Sequence, residues 1–253
     1  MHQRTADGVR LVGLLVRPQH GGNELAIVVG HGFTNHVRKP FVTRVLRRLG
    51  RSHPVIAFDF RGHGRSGGWS TGGPAEVADL DAAVAFARRD HARVATLGFS
   101  MGGAVALLQA ADGAHRPDAV AAVSSASYWW ARETTAMRRL FAFSELPPGR
   151  AVMGALGVRL APTLTAVPPS PVEVAHRIAP TPLLLVHGNE DHYLPVAHAM
   201  ALHRASGGHG QLWLEPGMRH AETAMTPALV DRLAAWLVGN TRPGTDGSEQ
   251  TAA

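Results

Sequence analysis

The chain has 253 residues, of which 45% are hydrophobic and 17% charged, and its formal net charge is +6. This composition is typical of one globular domain that buries most of its apolar surface, and it excludes collagen-like and low-complexity chains. No apolar run reaches the roughly 20 residues that a membrane-spanning helix needs. The lack of cysteine excludes disulfides, thiolate metal sites and a cysteine nucleophile.

Short apolar runs alternate with segments of helical periodicity along the chain. The strand-like runs are residues 9–16, 25–29, 55–60, 94–99, 119–123, 183–186 and 212–214. The helical segments are residues 41–49, 74–89 and 102–111, and a closing helix that Thr226 caps and Gly239 ends. Continuous apolar strands separated by helices predict an α/β fold, in which helices cover both faces of a parallel sheet.

Two segments interrupt this alternation. Residues 127–180 contain three consecutive aromatic residues and then a Pro-rich stretch, and they are too long for a connecting loop. We interpret them as a partly helical cap, inserted between two core segments at residues 1–126 and 181–240. The polar residues 241–253 are predicted to form a disordered tail.

A candidate nucleophile follows the strand-like run 94–99. Ligands of such sheets bind beyond the carboxyl ends of the strands, so chemistry is expected just after each apolar run. The sequence there is Gly98-Phe99-Ser100-Met101-Gly102, a G-x-S-x-G pattern between a strand and a helix. This pattern is typical of a nucleophile elbow, which exposes the serine hydroxyl at a tight turn. The competing interpretation is a Gly-rich packing turn in which Ser100 only caps the helix.

A serine nucleophile needs a base, which is normally a histidine oriented by a carboxylate. Asp191 lies at the end of a predicted strand, and His220 lies on a loop before the closing helix. We therefore predict a catalytic triad of Ser100, His220 and Asp191. The alternatives left open are Glu190 as the acid and His187 or His192 as the base.

Acyl transfer also needs hydrogen-bond donors for the oxyanion that develops on the substrate. The backbone N–H of Met101, directly after the nucleophile, is one candidate. The second is expected from the loop after an inner strand, where the sequence is His31-Gly32-Phe33-Thr34, and we predict the N–H of Phe33.

These motifs together resemble the α/β-hydrolase superfamily over roughly residues 8–238. They are most similar to small bacterial esterases of the cinnamoyl/feruloyl-esterase and monoacylglycerol-lipase-like groups. The resemblance implies an eight-stranded, mostly parallel sheet with a cap after the sixth strand. It also implies an antiparallel first strand, for which only residues 1–4 remain, so that strand is expected to be short or absent. The landmarks are His31-Gly32-Phe33, Asp59-Phe60-Arg61-Gly62-His63-Gly64-Arg65-Ser66, the serine motif, Gly188-Asn189-Glu190-Asp191 and His220.

The resemblance implies that Asp59 and Arg61 are locked by hydrogen bonds in a structural turn near the pocket. An apolar pocket is predicted to favour an acyl or aromatic ester over a charged peptide. An alternative role for Trp129 and Trp130 is to anchor the cap on the sheet. The residues predicted to line the pocket are Tyr128, Trp129, Trp130 and Leu194, together with Phe33 and Met101.

The sequence thus predicts a serine esterase that acts through an acyl-enzyme on a small-molecule ester. The same triad serves thioesterases, amidases or peptidases, cofactor-free haloperoxidases and carbon–carbon hydrolases, and the fold also serves as a non-catalytic ligand receptor.

No H-E-x-x-H or comparable spacing occurs, so no metal or cofactor is predicted. The basic residues form no continuous stripe, which argues against nucleic-acid binding. Residues 1–10 lack the layout of a secretory signal, so we expect a cytoplasmic, bacterial protein; the pattern predicts no oligomeric state.

Overall fold

The computed structural model describes residues 1–18, 24–162 and 168–241 of the protein. Its centre is a sheet of eight strands in the order β1-β2-β4-β3-β5-β6-β7-β8. The two N-terminal strands run antiparallel to their neighbours, and the other six are mutually parallel, which confirms the predicted α/β fold. The strands are β1 (His2–Arg4), β2 (Arg10–Val16), β3 (Leu25–Gly30), β4 (Val55–Asp59), β5 (Arg93–Phe99), β6 (Ala119–Val123), β7 (Leu183–Gly188) and β8 (Gln211–Glu215).

Helices connect the strands and flank the sheet. The closing helix begins as the sequence predicts, because the Thr226 hydroxyl accepts a hydrogen bond from the N–H of Leu229 at 3.2 Å and Pro227 occupies the first turn. The helices are α1 (Pro40–Leu49), α2 (Val77–Ala87), α3 (Met101–Asp112), α4 (Thr135–Glu145), α5 (Pro147–Ala155), α6 (Pro171–Val174), α7 (Ala197–Ala205) and α8 (Pro227–Asn240).

The core is divided into two clusters by the sheet. Along β3, Ala26 and Val28 belong to the cluster that includes α2 and α3, whereas Ile27 and Val29 belong to the cluster that includes α1 and α8. Successive side chains of a strand point to opposite faces, so both faces of β3 are buried. This explains why the central strands are continuous apolar runs rather than alternating ones.

The segment between β6 and β7 has two parts. Helices α4 and α5 come first, and isolated β-bridges join Val158 to His63 and Leu160 to Ser70 on the loop that follows β4. After Ser170 the chain returns to the core, where Val174 and Ile178 are buried in the same cluster as α3. The first part is therefore the one that contributes to the cavity described below.

No helix in the described part of the chain is long and apolar enough to cross a bilayer. The predicted tail, residues 241–253, lies outside the described residues except for Thr241, which follows α8.

Candidate active site

Ser100 lies at the sharp turn between β5 and α3. Its backbone has φ 51° and ψ −114°, a conformation that costs a non-glycine residue roughly 1–3 kcal/mol. The turn is tight, since a Cβ at Gly98 would lie 2.1 Å from the carbonyl oxygen of Gly102, and one at Gly102 would lie 2.4 Å from the carbonyl oxygen of Gly30. The N–H of Ser100 donates to the Val123 carbonyl at 2.9 Å. The turn therefore has the strained geometry expected of a nucleophile elbow.

The three side chains predicted as a triad form one chain of hydrogen bonds. The hydroxyl of Ser100 lies 2.9 Å from Nε2 of His220, and Nδ1 of His220 lies 2.7 Å from Oδ2 of Asp191. His220 lies on the loop after β8, and Asp191 lies on the loop after β7. The Asp191 side chain is fully buried and the His220 side chain is 17% exposed. The imidazole thus lies between an accessible hydroxyl and a buried carboxylate.

The Asp191 carboxylate is fixed by the backbone of its own loop. Its Oδ1 accepts hydrogen bonds from the N–H groups of Tyr193 at 2.9 Å and Leu194 at 3.0 Å. Burial raises the pKa of Asp191, but the hydrogen bonds from His220 and from Leu194 outweigh burial and hold it below its ordinary value. The carboxylate is therefore ionised at neutral pH and able to orient the imidazole.

The alternative acid and bases do not belong to this chain of hydrogen bonds. Glu190 is exposed, and its N–H donates to the Met218 carbonyl. Nε2 of His187 lies 2.9 Å from the Leu194 carbonyl and 3.7 Å from Oδ2 of Asp191, and no hydrogen bond joins it to Ser100 among the described residues. The ring of His192 packs against that of Tyr193 at a centroid distance of 4.4 Å, with the two planes tilted by 44°.

Two backbone N–H groups beside Ser100 are available to an incoming oxygen. Met101 is the first residue of α3, so its N–H has no acceptor within the helix. Among the described residues, the N–H of Phe33 also lacks an acceptor. The carbonyl of Phe33, which belongs to the next peptide, lies 2.6 Å from Nε2 of His63. Burial lowers the pKa of His63, although Glu76 and two backbone carbonyls act in the opposite direction.

A cavity of about 930 Å³ opens beside Ser100 and His220. Trp129 is only 7% exposed, and its Nε1 donates to the Pro169 carbonyl at 3.2 Å, so this side chain both anchors the segment and reaches the cavity wall. Sequence reasoning missed the contribution of α4, whose Met137, Leu140 and Phe141 also line the cavity. All six residues predicted to form the pocket line it, namely Phe33, Met101, Tyr128, Trp129, Trp130 and Leu194.

The motif from Asp59 to Ser66 forms a hydrogen-bonded turn behind the cavity. Oδ1 of Asp59 accepts from the N–H of Val37 at 2.8 Å, and Oδ2 accepts from that of Arg65 at 2.9 Å. The Arg61 guanidinium lies 2.7 Å from carboxylate oxygens of both Asp79 and Asp7. Neither Asp59 nor Arg61 lines the cavity, so their described contacts are those of a structural turn.

In the part of the chain that the structure describes, no three histidine or acidic side chains are grouped so that they could hold a metal ion. The groups at the candidate site are a hydroxyl, an imidazole, a carboxylate and two backbone N–H groups. Such a set matches nucleophilic attack on an acyl carbon, since it supplies a nucleophile, a base and oxyanion donors.

The sequence model of the serine aminopeptidase (S33) family matches residues 22–170, which is more than half of the chain. The protein belongs to this family. A direct comparison of this chain with curated proteins found no match. Its fold and motifs are those of the α/β-hydrolase superfamily, which confirms the resemblance seen in the sequence.

Solved structures similar to this S33 protein share its fold at low sequence identity. An esterase of Pyrococcus furiosus is 23% identical with a TM-score of 0.74, and the match covers 94% of this chain and 91% of that chain. An esterase of Rhodococcus sp. ECU1013 is 20% identical with a TM-score of 0.74, covering 94% and 98%. The protein Est1E of Butyrivibrio proteoclasticus, solved with ferulic acid bound, is 19% identical with a TM-score of 0.66, covering 95% and 98%.

Proposed function

We propose that the protein is a serine esterase that cleaves a carboxylic ester through an acyl-enzyme on Ser100. The observation that carries this proposal is the continuous chain of hydrogen bonds from Ser100 through His220 to the buried Asp191. It ends at a hydroxyl that faces a large cavity. Membership of a serine hydrolase family and a fold shared with esterases support the same conclusion.

In the proposed reaction, His220 Nε2 takes the hydroxyl proton of Ser100 while the oxygen attacks the ester carbonyl. The carbonyl oxygen becomes an oxyanion, which accepts hydrogen bonds from the N–H groups of Phe33 and Met101. The imidazolium is stabilised by Asp191 and returns the proton to the leaving alcohol oxygen as the carbon–oxygen bond breaks. Water then repeats the same steps on the acyl-enzyme and releases the acid.

The proposed substrate is a small ester with an acyl or aromatic acyl group. The cavity wall is rich in aromatic and aliphatic side chains, including Tyr128, Trp130 and Leu194, which favour an apolar group over a charged peptide. A bound ferulic acid in the structurally similar Est1E is consistent with an aromatic acyl group here. A panel of esters with graded acyl length and with aromatic acyl groups measures this preference through kcat/KM.

Residues 127–180 are the proposed cap of this enzyme, inserted between core segments 1–126 and 181–240. Support comes from the first part of the segment, in which residues from Tyr128 to Leu160 line the cavity. Support for anchoring at its base comes from His198 of α7, whose Nδ1 lies 2.8 Å from the Ser127 hydroxyl and accepts from the Ser127 N–H at 3.1 Å.

The family description also suggests an aminopeptidase, which must bind the free ammonium group of its substrate. Among the described residues that line the cavity, the carboxylates are those of Glu145 and Glu222. Glu145 pairs with Arg132, and Glu222 accepts the N–H of Gly32 at 2.7 Å. Both carboxylates are thus already engaged, so the contacts favour an ester over a peptide with a free amino terminus.

The decisive variant for this function is Ser100→Ala, assayed with ester, thioester and anilide substrates of the same acyl group. We expect the wild-type protein to turn over esters best and the variant to lose nearly all of this activity, roughly 10³-fold or more. Faster turnover of anilides or thioesters would reassign the reaction class. Full ester turnover by a folded Ser100→Ala protein would refute the mechanism. A wild-type protein that binds esters without cleaving them would indicate a ligand receptor.

A further inference from the structure

Glu222 is a buried carboxyl group in the cavity wall that the proposed reaction does not use. It lies two residues after His220, in a short 3₁₀ turn (Ala221–Ala224), and is only 2% exposed. Oε1 accepts a hydrogen bond from the N–H of Gly32 at 2.7 Å, and the side-chain amide of Asn35 faces the same carboxyl group and acts to lower its pKa. The carboxyl group therefore joins the loop of the base to a loop 190 residues earlier in the chain.

The two partners of Glu222 are the two ends of one tight turn. The N–H of Asn35 donates to the carbonyl of Gly32 at 3.0 Å, and this bond closes the four residues 32–35 into a turn. Phe33, whose N–H is the proposed oxyanion donor, lies inside it. The peptide between Gly32 and Phe33 carries both that carbonyl and the proposed donor N–H, and the carbonyl also lies 2.8 Å from Nδ1 of His31. A carboxyl group that holds Gly32 and faces Asn35 therefore restricts the plane of this peptide.

The burial of the Glu222 carboxyl group indicates that its contacts have a role. A carboxyl group taken out of water destabilises a protein unless donors satisfy its oxygens, so burial of an acid in a cavity wall needs a compensating role. Burial raises the pKa of Glu222, and the donors on Gly32 and Asn35 oppose that shift. A Cβ at Gly32 would lie 3.3 Å from both Oε2 of Glu222 and Nδ2 of Asn35, which shows how closely the three groups pack.

We propose that Glu222 is a positioning residue: it holds residues 32–35 so that the N–H of Phe33 points at the developing oxyanion, and it couples that donor to the loop of His220. This inference rests on the proposed esterase function. It assigns Glu222 no proton transfer and no contact with the reacting atoms. Its effect is therefore expected in the stabilisation of the transition state and not in the binding of the ground state.

Two variants separate the positioning role from a general structural one. Glu222→Gln keeps an oxygen that accepts from the Gly32 N–H, and Asn35 can rotate its amide to suit the new side chain. Glu222→Leu has a similar volume but leaves the Gly32 N–H without an acceptor. The matched control is Asp79→Asn, which changes another buried carboxylate, one that accepts from Arg61 and has no described hydrogen bond to residues 32–35.

The test compares kcat, KM and inhibitor affinity among folded variants. We expect Glu222→Leu to lower kcat about tenfold or more with KM nearly unchanged, less than the loss of a direct oxyanion donor. Binding of a trifluoromethyl ketone, which forms a tetrahedral oxyanion adduct with the serine, should weaken by the same factor as kcat/KM falls. Glu222→Gln should restore most of kcat, and Asp79→Asn should lower Tm without changing kcat.

Three results would overturn the inference. They are a Glu222→Leu variant with unchanged kcat, a loss that appears entirely in KM, and a ketone affinity that stays at the wild-type value while kcat falls. If Glu222→Leu does not fold, the comparison of Glu222→Gln with Glu222→Asp, whose shorter side chain cannot span the same distance, provides the same contrast. Failure of the esterase function would be recognised separately, as full turnover by Ser100→Ala.

Discussion

The carboxylate of Asp191 receives three hydrogen bonds, one from His220 and two from backbone N–H groups of its own loop. An amide in its place would present a donor to the imidazole or force the wrong tautomer. We therefore expect Asp191→Asn to fold normally and to lower kcat by about 10³–10⁴-fold. Steady-state ester hydrolysis measures this effect.

The control for that variant is Glu190→Gln, which removes the neighbouring but exposed carboxylate. Its kcat should stay near the wild-type value. If Glu190→Gln lost more activity than Asp191→Asn, the assignment of the orienting acid would have to be reversed.

Residues that carry a local signal, a motif or a place just after a strand, were predictable, and a residue without such a signal was not. Ser100 could be identified because the glycines that its turn requires are its sequence neighbours, and His220 and Asp191 because each follows a strand. Glu222 could not, since it carries no motif and its partner Gly32 is 190 positions away. Only the folded chain brings the two loops together. The assignments of the catalytic residues and oxyanion donors stay predictions until activity is measured.

At the scale of elements, the turn between β5 and α3 depends on residues without side chains. We expect Gly102→Ala to lower kcat about a hundredfold, because the added Cβ would push the helix start away from the carbonyl of Gly30 and displace Ser100. Gly239→Ala is the matched control, since a Cβ at that exposed position of α8 meets nothing within 4 Å. The control should keep full activity with equal or higher Tm. Equal kcat in both variants would mean that the turn tolerates a side chain.

We expect Trp129 and Trp130 to have different main roles, although both line the cavity. Trp129 is buried, donates to the Pro169 carbonyl and packs against Gly73, so Trp129→Ala should lower the free energy of unfolding by roughly 3–5 kcal/mol. Trp130 is partly exposed in the cavity wall, so Trp130→Ala should change the preference among aromatic and aliphatic esters with a smaller loss of stability. Thermal unfolding and kcat/KM across the ester panel measure the two effects, and the reverse pattern would exchange the roles.

The parallel strands and their helices could be predicted because both faces of the sheet are buried, which leaves continuous apolar runs in the sequence. β1 has only three residues, too few for a pattern, and its place is set by pairing with β2. The contribution of α4 to the cavity was not predictable, because its apolar side chains line an open space instead of a core. Local periodicity does not distinguish these two environments.

For the whole molecule, buried histidines set the direction of the pH dependence of stability. A histidine whose pKa is lowered by folding binds a proton more readily in the unfolded chain, so acid favours unfolding by up to about 1.4 kcal/mol per pH unit for each such group. Burial raises the pKa of Asp79 to about 7 and also raises that of Glu222. These two shifts favour the folded chain as the pH falls, but fewer groups contribute to them than to the histidine effect. The histidines with lowered pKa values in the buried interior are His31, His63, His187 and His198.

We therefore expect Tm to decrease as the pH falls from about 7 to about 5, through the range in which histidines of the unfolded chain become protonated. Calorimetry at constant ionic strength measures this slope. A Tm that rises over the same interval would show that the carboxyl groups outweigh the histidines.

The central claim is that Ser100 carries the acyl group between the two halves of the reaction. The most direct test mixes the protein with p-nitrophenyl acetate, quenches the mixture in acid within the first turnover, and maps the modified peptide by mass spectrometry. We predict one acetyl group on Ser100 in the wild-type protein and none in Ser100→Ala. A wild-type protein that hydrolyses the ester while the acetyl group is found on another residue would contradict the account.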